Sequence, residues 1–154
     1  MKKNIAIGLI ALSVVSFTII SSCKKEENET KISSHNSDES HNAGQNCMNC
    51  HRSGGEGEGN FTVAGTIYDS TGTSVNPNGT VKIYSHPNGN GNVLATIEVD
   101  AKGNFYTTES IDLSSGTYPS ITGASGSTRD MPDITTSGAC NSCHGVSQAR
   151  IWIN

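Results

Sequence analysis

The stretch FTVAGTIYD, residues 61–69, alternates along its length, with Phe61, Val63, Gly65 and Ile67 on one side. Alternation with a period of two is typical of a β-strand that has one buried face. Three stretches of similar character follow: TVKIYS (80–85), VLATIEVD (93–100) and GNFYTTE (103–109). Turn sequences separate them, including PNG at 77–79 and PNGNGN at 87–92. Short strands at near-regular spacing predict a small β-sandwich over residues 61–128, and hence a mainly β protein.

A wider part of this region resembles a known β-domain. The sequence VAGTIYDSTGTSVNPNGTVKIYS (63–85), followed by VLATIEVDAKGNFYTTESID (93–112), is similar to the carboxypeptidase-regulatory or transthyretin-like family, in which a D-x-x-G-x-F turn recurs. Here that turn runs from Asp100 to Phe105. The resemblance implies the β-domain and says little about activity, because one fold serves many functions.

Two five-residue motifs flank the β region. They read Cys47-Met48-Asn49-Cys50-His51 and Cys140-Asn141-Ser142-Cys143-His144, so each has two cysteines two residues apart and a histidine directly after them. The fifth cysteine, Cys23, lies near the N-terminus, and none is left over. Disulfide bonds would explain four cysteines in an exported protein, but not the repeated spacing or the repeated histidine.

Three kinds of site remain open for these motifs. In covalent haem attachment, two thiols bond to the two vinyl groups of one haem and the adjacent histidine binds the iron. The four cysteines could instead share one zinc ion, although zinc ribbons bring their pairs together over a shorter separation and need no histidine here. A redox dithiol is disfavoured, because neither pair lies in a βαβ pattern.

Each motif resembles the haem-attachment sequence of c-type cytochromes. The resemblance implies two covalently bound c-type haems, with proximal iron ligands at His51 and His144. It also implies thioether bonds at Cys47, Cys50, Cys140 and Cys143. The expected fold class is therefore a mainly β protein, in which a small β-sandwich is flanked by two haem-binding segments.

Met131, His41 and His86 are the candidates for the distal iron ligands. Pro132 favours an extended backbone at Met131, and a Met-Pro pair downstream of the motif is similar to the distal ligand of many small cytochromes c. His41 lies shortly before the first motif. His86 precedes a proline in a glycine-rich loop, where an ordinary surface turn is the simpler interpretation. We expect Met131 and His41 to be the distal pair, with their irons unassigned.

The N-terminus reads as an export signal. Its basic start is followed by an apolar run and then by small residues directly before Cys23. The tetrapeptide ISSC (20–23) resembles the lipobox of bacterial lipoproteins, which implies cleavage before Cys23 and lipidation of that cysteine. An uncleaved membrane-anchor helix is the alternative. The polar residues that follow, to about residue 42, predict a flexible, disordered tether, because they have little apolar surface to bury.

The charge of the mature chain narrows the class of partner. Removal of residues 1–22 takes Lys2 and Lys3 from ten basic side chains, so eight remain against fourteen acidic ones and the net charge is about −6. An acidic surface argues against nucleic acid as a partner. No Ser/His/Asp set or paired acids suggest hydrolytic catalysis.

The sequence predicts a dihaem c-type cytochrome lipoprotein that carries electrons at the cell envelope and is not an enzyme. A lipid anchor would hold it at the outer membrane, where it would meet redox partner proteins. The alternatives are a haem enzyme with one open iron site and a zinc-stabilised surface-binding β-module. The expected divisions are a signal peptide (1–22), a lipidated tether (23–42), a first haem-attachment segment with a glycine-rich hinge (43–60), the β-sandwich (61–128), and a second haem-attachment segment with a C-terminal strand (129–154).

Overall fold

The structure, a computed structural model, describes residues 30–154, which are mainly β. The strands are β1 (Val63–Thr66), β2 (Thr80–His86), β3 (Asn90–Glu98), β4 (Asn104–Thr107), β5 (Tyr118–Thr122) and β6 (Thr128–Asp130), and two short 3-10 helices span Cys47–Asn49 and Cys140–Ser142. Within residues 30–154, no helix has the length and apolar character needed to cross a membrane. The predicted signal peptide and Cys23 lie outside the described residues.

The strands form two antiparallel sheets, which confirms the prediction of a mainly β fold. One sheet pairs β1 with β4, and the other has the order β3-β2-β5-β6. Both sheets contribute to one hydrophobic cluster, because the apolar side chains of each strand alternate toward a shared interior. Its buried members are Val63, Ile67, Val81, Ile83, Ile97, Val99, Phe105, Ile121 and Ile153.

Two turns that the sequence indicates have a clear local cause. In the β2–β3 hairpin, Asn88 and Gly89 have φ values of 59° and 66°, a left-handed conformation that these two residue types adopt most readily. Between β3 and β4, Oδ1 of the buried Asp100 accepts hydrogen bonds from Lys102 N at 2.8 Å and Asn104 N at 2.9 Å. Both turns therefore form as their sequences predict.

The strands after residue 112 differ from expectation. The sequence does not single out β5, which contains a proline at Pro119 but pairs with β2 through Tyr84 and Tyr118. Strand β6 runs past the expected end of the β region at residue 128. The predicted C-terminal strand is only an isolated parallel bridge between Trp152 and Tyr68.

Residues 30–42, called the N-terminal strap below, lie against β4, so the prediction of a flexible tether is wrong for this part of the chain. Ile32 forms an antiparallel bridge with Thr107. The buried Ser33 donates its N–H to Tyr106 O at 3.0 Å. The strap is held by backbone and hydroxyl hydrogen bonds, which a count of apolar side chains does not register. Residues 23–29 of the predicted tether lie outside the described residues.

The two motif segments pack against β1. All four residues of this strand are buried. Ala64 forms a parallel bridge with Ala139 of the second segment. Gly44 N of the first segment donates to the Thr66 hydroxyl at 2.9 Å. Strand β1 therefore brings together two motifs that are far apart in the sequence.

Candidate functional site

The first motif begins as a single 3-10 turn, Cys47–Asn49. The Asn46 side chain accepts a backbone N–H of this turn at 3.2 Å and so caps it. Cys50 N and His51 N both donate to Cys47 O, at 3.2 and 3.0 Å. The two cysteines and the histidine are thereby held in one compact turn.

The second motif adopts the same backbone conformation. Cys143 N and His144 N both donate to Cys140 O, at 3.3 and 3.0 Å. The cap differs, because Ala139 has no polar side chain, and Ser142 Oγ instead donates to Ala139 O at 2.6 Å. The shared Cys-x-x-Cys-His spacing thus gives the same local structure in two places.

The two motif histidines make the same hydrogen bond. His51 Nδ1 lies 2.7 Å from Glu58 O, and His144 Nδ1 lies 2.7 Å from Ala149 O. A carbonyl oxygen only accepts, so this bond selects the tautomer of the neutral ring in which Nδ1 carries the proton and Nε2 has the lone pair. Among residues 30–154, no hydrogen bond to either Nε2 is present. Metal-binding histidines are oriented in this way by a carbonyl or carboxylate behind the ring.

The glycine-rich stretch 53–59, interpreted from the sequence as a hinge, wraps around His51. Gly57 N donates to Cys50 O at 3.1 Å. A Cβ on Gly57 would lie only 2.7 Å from His51 Nδ1, so a larger residue there would displace the ring. The Phe61 ring stacks on the His51 ring, with centroids 4.2 Å apart and planes inclined by 6°. The loop therefore orients His51.

His51 lines a cavity of about 620 Å³ that also contains Cys47, Cys50 and His41. The His41 and His51 ring centroids are 5.8 Å apart. The two rings are therefore neighbours on the wall of this cavity. The rest of the wall includes aromatic and charged side chains, among them Phe61, Tyr106, Lys31, Glu39, Glu56 and Glu58.

A second cavity of about 510 Å³ contains Cys140, Cys143, His144 and Met131. Met131 directly follows β6, and its N–H donates to Pro119 O at 2.9 Å. This bond continues the β5–β6 pairing and brings the half-buried Met131 to the cavity wall. The remaining wall combines apolar side chains, among them Val81, Phe105, Ile121 and Ile151, with four charged ones: Arg129, Asp130, Asp133 and Arg150. The structure thus brings His41 to the first motif and Met131 to the second.

His86, the third distal candidate, lines neither of these cavities. It is the last residue of β2 and pairs with Asn90 across the hairpin. Its Nδ1 lies 2.8 Å from Ser85 Oγ, and the residue is exposed. The geometry of a surface turn accounts for its position.

The motif thiols are not arranged for thiolate chemistry. The four motif cysteines are not joined by disulfide bonds in the structure. Burial raises the pKa of the Cys140 thiol to about 12, and burial also raises the pKa of the Cys47 thiol. Reactive dithiols need lowered pKa values. Both first cysteines therefore hold their protons at neutral pH.

Residues 30–154 form no bare metal site. Within the described part of the chain, no three His, Cys, Asp or Glu side chains form a group that could hold a metal ion. A tetrathiolate zinc site needs four sulfur atoms around one point. That arrangement is not formed by the four motif cysteines in this structure.

Several residues at these sites carry no signal in the sequence. Asn141 and Ser142 occupy the variable positions of the second motif, yet only Asn141 is buried. Thr66 reads as an ordinary strand residue, but its hydroxyl contacts both motif segments. Gly57 is one of several glycines in its stretch. Each acts through contacts with distant parts of the chain, so local pattern could not identify it.

Comparison of the chain with protein-family models, with curated proteins and with solved structures found no match.

Proposed function

We propose that the protein is a dihaem c-type cytochrome lipoprotein that carries electrons at the cell envelope. The observation that carries this proposal is the shared arrangement of His51 and His144. Each Nδ1 is held by a backbone carbonyl, and each ring lines a cavity that contains the two cysteines of its own motif. The two histidines serve as proximal iron ligands in this assignment, since Nε2 is the nitrogen available to iron.

The residues of both cavities fit covalent haem. Cys47 and Cys50 form the thioether bonds of the first haem, and Cys140 and Cys143 those of the second. All four thiols are unpaired with one another, so they are available to add across vinyl groups. When bound, each haem supplies an iron that gains or loses one electron, while the chain supplies attachment, ligands and surroundings.

Cavity membership supports one assignment of the distal ligands. His41 lies 5.8 Å from His51 between ring centroids and serves the first haem. Met131 shares the second cavity with His144 and serves the second haem. A methionine ligand raises the reduction potential of a haem relative to a second imidazole. The protein then has two separate one-electron steps.

The rest of the chain gives this unit its scaffold and its location. The two sheets act as a small β-sandwich flanked by the two haem-binding segments. Lipidated Cys23 holds the protein at the outer membrane, where redox partner proteins exchange electrons with it. Cys23→Ser should release the protein from the membrane fraction, because acylation supplies the anchor. A variant that fractionates and matures like the unaltered protein would contradict the lipid anchor.

Intact-mass spectrometry under denaturing conditions tests the central proposal. Protein made in cells that contain the haem-ligation machinery should have the mass of the chain plus two haems. Its reduced-minus-oxidised absorption spectrum should contain the sharp bands of a low-spin c-type haem. A mass without haem, or tightly bound zinc in a colourless protein, would overturn the proposal in favour of the zinc-stabilised β-module.

A further inference from the structure

A buried hydrogen-bond network joins the second motif to the first. Asn141, the residue after Cys140, is only 4% exposed. Its Nδ2 donates to Gln45 O at 2.9 Å and to the Thr66 hydroxyl at 3.0 Å. Its Oδ1 accepts from Thr66 N at 3.2 Å. Gln45 lies just before Cys47, so one side chain of the second motif holds the backbone that leads into the first.

The Thr66 hydroxyl is the centre of this network. It accepts from Gly44 N at 2.9 Å as well as from Asn141, and it donates to Asn104 Oδ1 at 2.7 Å. Asn104 Nδ2 in turn donates to Ser40 Oγ at 2.9 Å. Ser40 directly precedes the distal candidate His41. The network therefore reaches both the proximal and the distal segments of the first site.

The network is buried and well satisfied, which makes it rigid. Thr66 is 1% exposed and Asn104 is 3% exposed. Hydrogen bonds in such surroundings are strong, and the loss of one partner leaves others buried without a bond. Asparagine suits the position of Asn141 because its side chain both donates and accepts. Met48, at the same position of the first motif, has neither a donor nor a strong acceptor.

We propose that this network, with Asn141 as its positioning residue, fixes the two haem-binding segments in one mutual arrangement, so that the two haems are coupled as a single unit. This inference rests on the proposed function. It goes beyond that function because a dihaem carrier could equally hold its two haems on independent segments. In the coupled arrangement, the redox state of one site changes the potential of the other, because charge at one site acts on the other at a fixed separation.

Circular dichroism in the Soret region tests the arrangement directly. Two haems at a short, fixed separation and orientation give a two-signed band, because their transition dipoles interact. Averaging over many arrangements removes that signal. The haem-loaded full chain should have this band, and Asn141→Ala should reduce its amplitude to roughly half or less, since three buried hydrogen bonds are lost. Asn92→Ala is the matched control, because it makes the same change at an exposed position of the β2–β3 hairpin that lines neither cavity.

A pair of substitutions at Thr66 keeps the test decisive if Asn141→Ala fails to fold. Thr66→Val has a similar volume but lacks the hydroxyl, so it removes the contacts to Gly44, Asn104 and Asn141 Nδ2. Thr66→Ser keeps the hydroxyl and should retain the two-signed band. Thr66→Val should weaken the band and speed hydrogen exchange at the Gly44 amide, roughly tenfold, because that amide loses its acceptor. The exchange measurement does not depend on the haem spectrum.

The outcomes separate the inference from the function on which it rests. A chain that carries two haems by mass but has no two-signed band overturns the inference and leaves the proposed function standing. An unchanged band in both Asn141→Ala and Thr66→Val also overturns it. A weaker band in these two variants, with an unchanged band in Asn92→Ala and Thr66→Ser, supports the positioning role. A chain without covalent haem overturns both.

Discussion

The two Cys-x-x-Cys-His segments share one backbone conformation but lie in different surroundings. Cys140 packs against the hydrophobic core, and a Cβ on Gly65 would lie 3.0 Å from the Cys140 Cβ. Cys47 lies outside that cluster. The first cavity is lined by Glu39, Glu56 and Glu58 with one lysine, whereas the second is lined by core residues of the β-domain together with two arginines and two aspartates. In the proposed cytochrome, the two motifs thus share the attachment chemistry while their surroundings set the properties of each site.

Those surroundings imply an order of potentials in the proposed cytochrome. Carboxylates and a second imidazole stabilise the more positively charged ferric state, so the first site should have the lower potential. At the second site the two arginines balance the two aspartates and the thioether ligand favours the ferrous state, so this site should have the higher potential. Substitutions at either site can therefore test this order of potentials.

Removal of the cysteines of one motif should have the largest effect. The double variant Cys47→Ala/Cys50→Ala should lack only the first haem. The double variant Cys140→Ala/Cys143→Ala should lack only the second haem. The second pair should also lower the free energy of unfolding by about 1 kcal/mol, because Cys140 packs on the core. Intact-mass spectrometry and thermal unfolding measure the two effects. Loss of both haems from either double variant would contradict the independence of attachment.

Thiol reactivity in the haem-free chain should separate Cys140 from an ordinary cysteine. Its pKa is raised from 9.0 to about 12, so at about pH 8 it has about a thousandfold less thiolate than an unshifted thiol. A more basic thiolate is also more nucleophilic, which offsets part of the loss of thiolate. Alkylation of Cys140 should therefore be tens of times slower than alkylation of an unshifted thiol. The rate should rise about tenfold for each pH unit until the pH nears the pKa. Peptide mapping after iodoacetamide labelling measures it, and rapid labelling of Cys140 at neutral pH would show that it is not buried.

Exchange of the distal ligand should make the second site resemble the first. Met131→His should lower the higher potential by roughly 100 mV, because imidazole favours ferrous iron less than a thioether does. Met131→Ala should instead abolish the methionine-to-iron charge-transfer band and let carbon monoxide bind the iron of the second site. His41→Ala should let carbon monoxide bind the iron of the first site. Met48→Leu is the control and should leave both potentials unchanged.

Carbon monoxide binding also decides between the carrier and the haem enzyme. The unaltered protein should bind none at either iron, because each has two protein ligands in the proposed assignment. Binding at both irons would exclude Met131 and His41 as ligands. Binding at one iron would favour the enzyme with one open site. Should Met131→Ala leave the spectrum and both potentials unchanged, the assignment would move to a histidine of a neighbouring chain, because His86 lines neither cavity.

A substitution in the glycine-rich loop should have the smallest effect, confined to the first site. Gly57→Ala would bring a Cβ to within 2.7 Å of His51 Nδ1, and overpacking of this kind costs about 1–3 kcal/mol. The first haem should show a changed spectrum and potential, while the second is unaltered. Ser53→Ala, at an exposed position of the same loop, is the control. Equal changes at both haems would show that the loop acts on the whole fold.

The first four strands could be predicted from the sequence, because they depend on neighbouring residues, and the haem proposal rests on motifs that are equally local. A Cys-x-x-Cys-His motif contains its thiols and its histidine within five residues. The alternation around Val63 and Ile67, and the turn that starts at Asp100, are equally local. The N-terminal strap, strand β5 and the C-terminal bridge depend on hydrogen bonds to distant strands. Their own sequences are polar or contain proline, so a local pattern could not predict them.

The sequence by itself determined which side chains are available to bind a cofactor, and it named His41 and Met131 as distal candidates. Only the tertiary structure decided which motif each of them accompanies. In the tertiary structure the glycine-rich stretch also packs against His51, and Asn141 of the second motif bonds to the segment before the first motif. The physical reason is that β1 packs against both motif segments: Thr66 contacts Gly44 of the first segment and Asn141 of the second. Contacts between residues so far apart in the chain follow from the packing of the whole domain, which no short stretch of sequence contains.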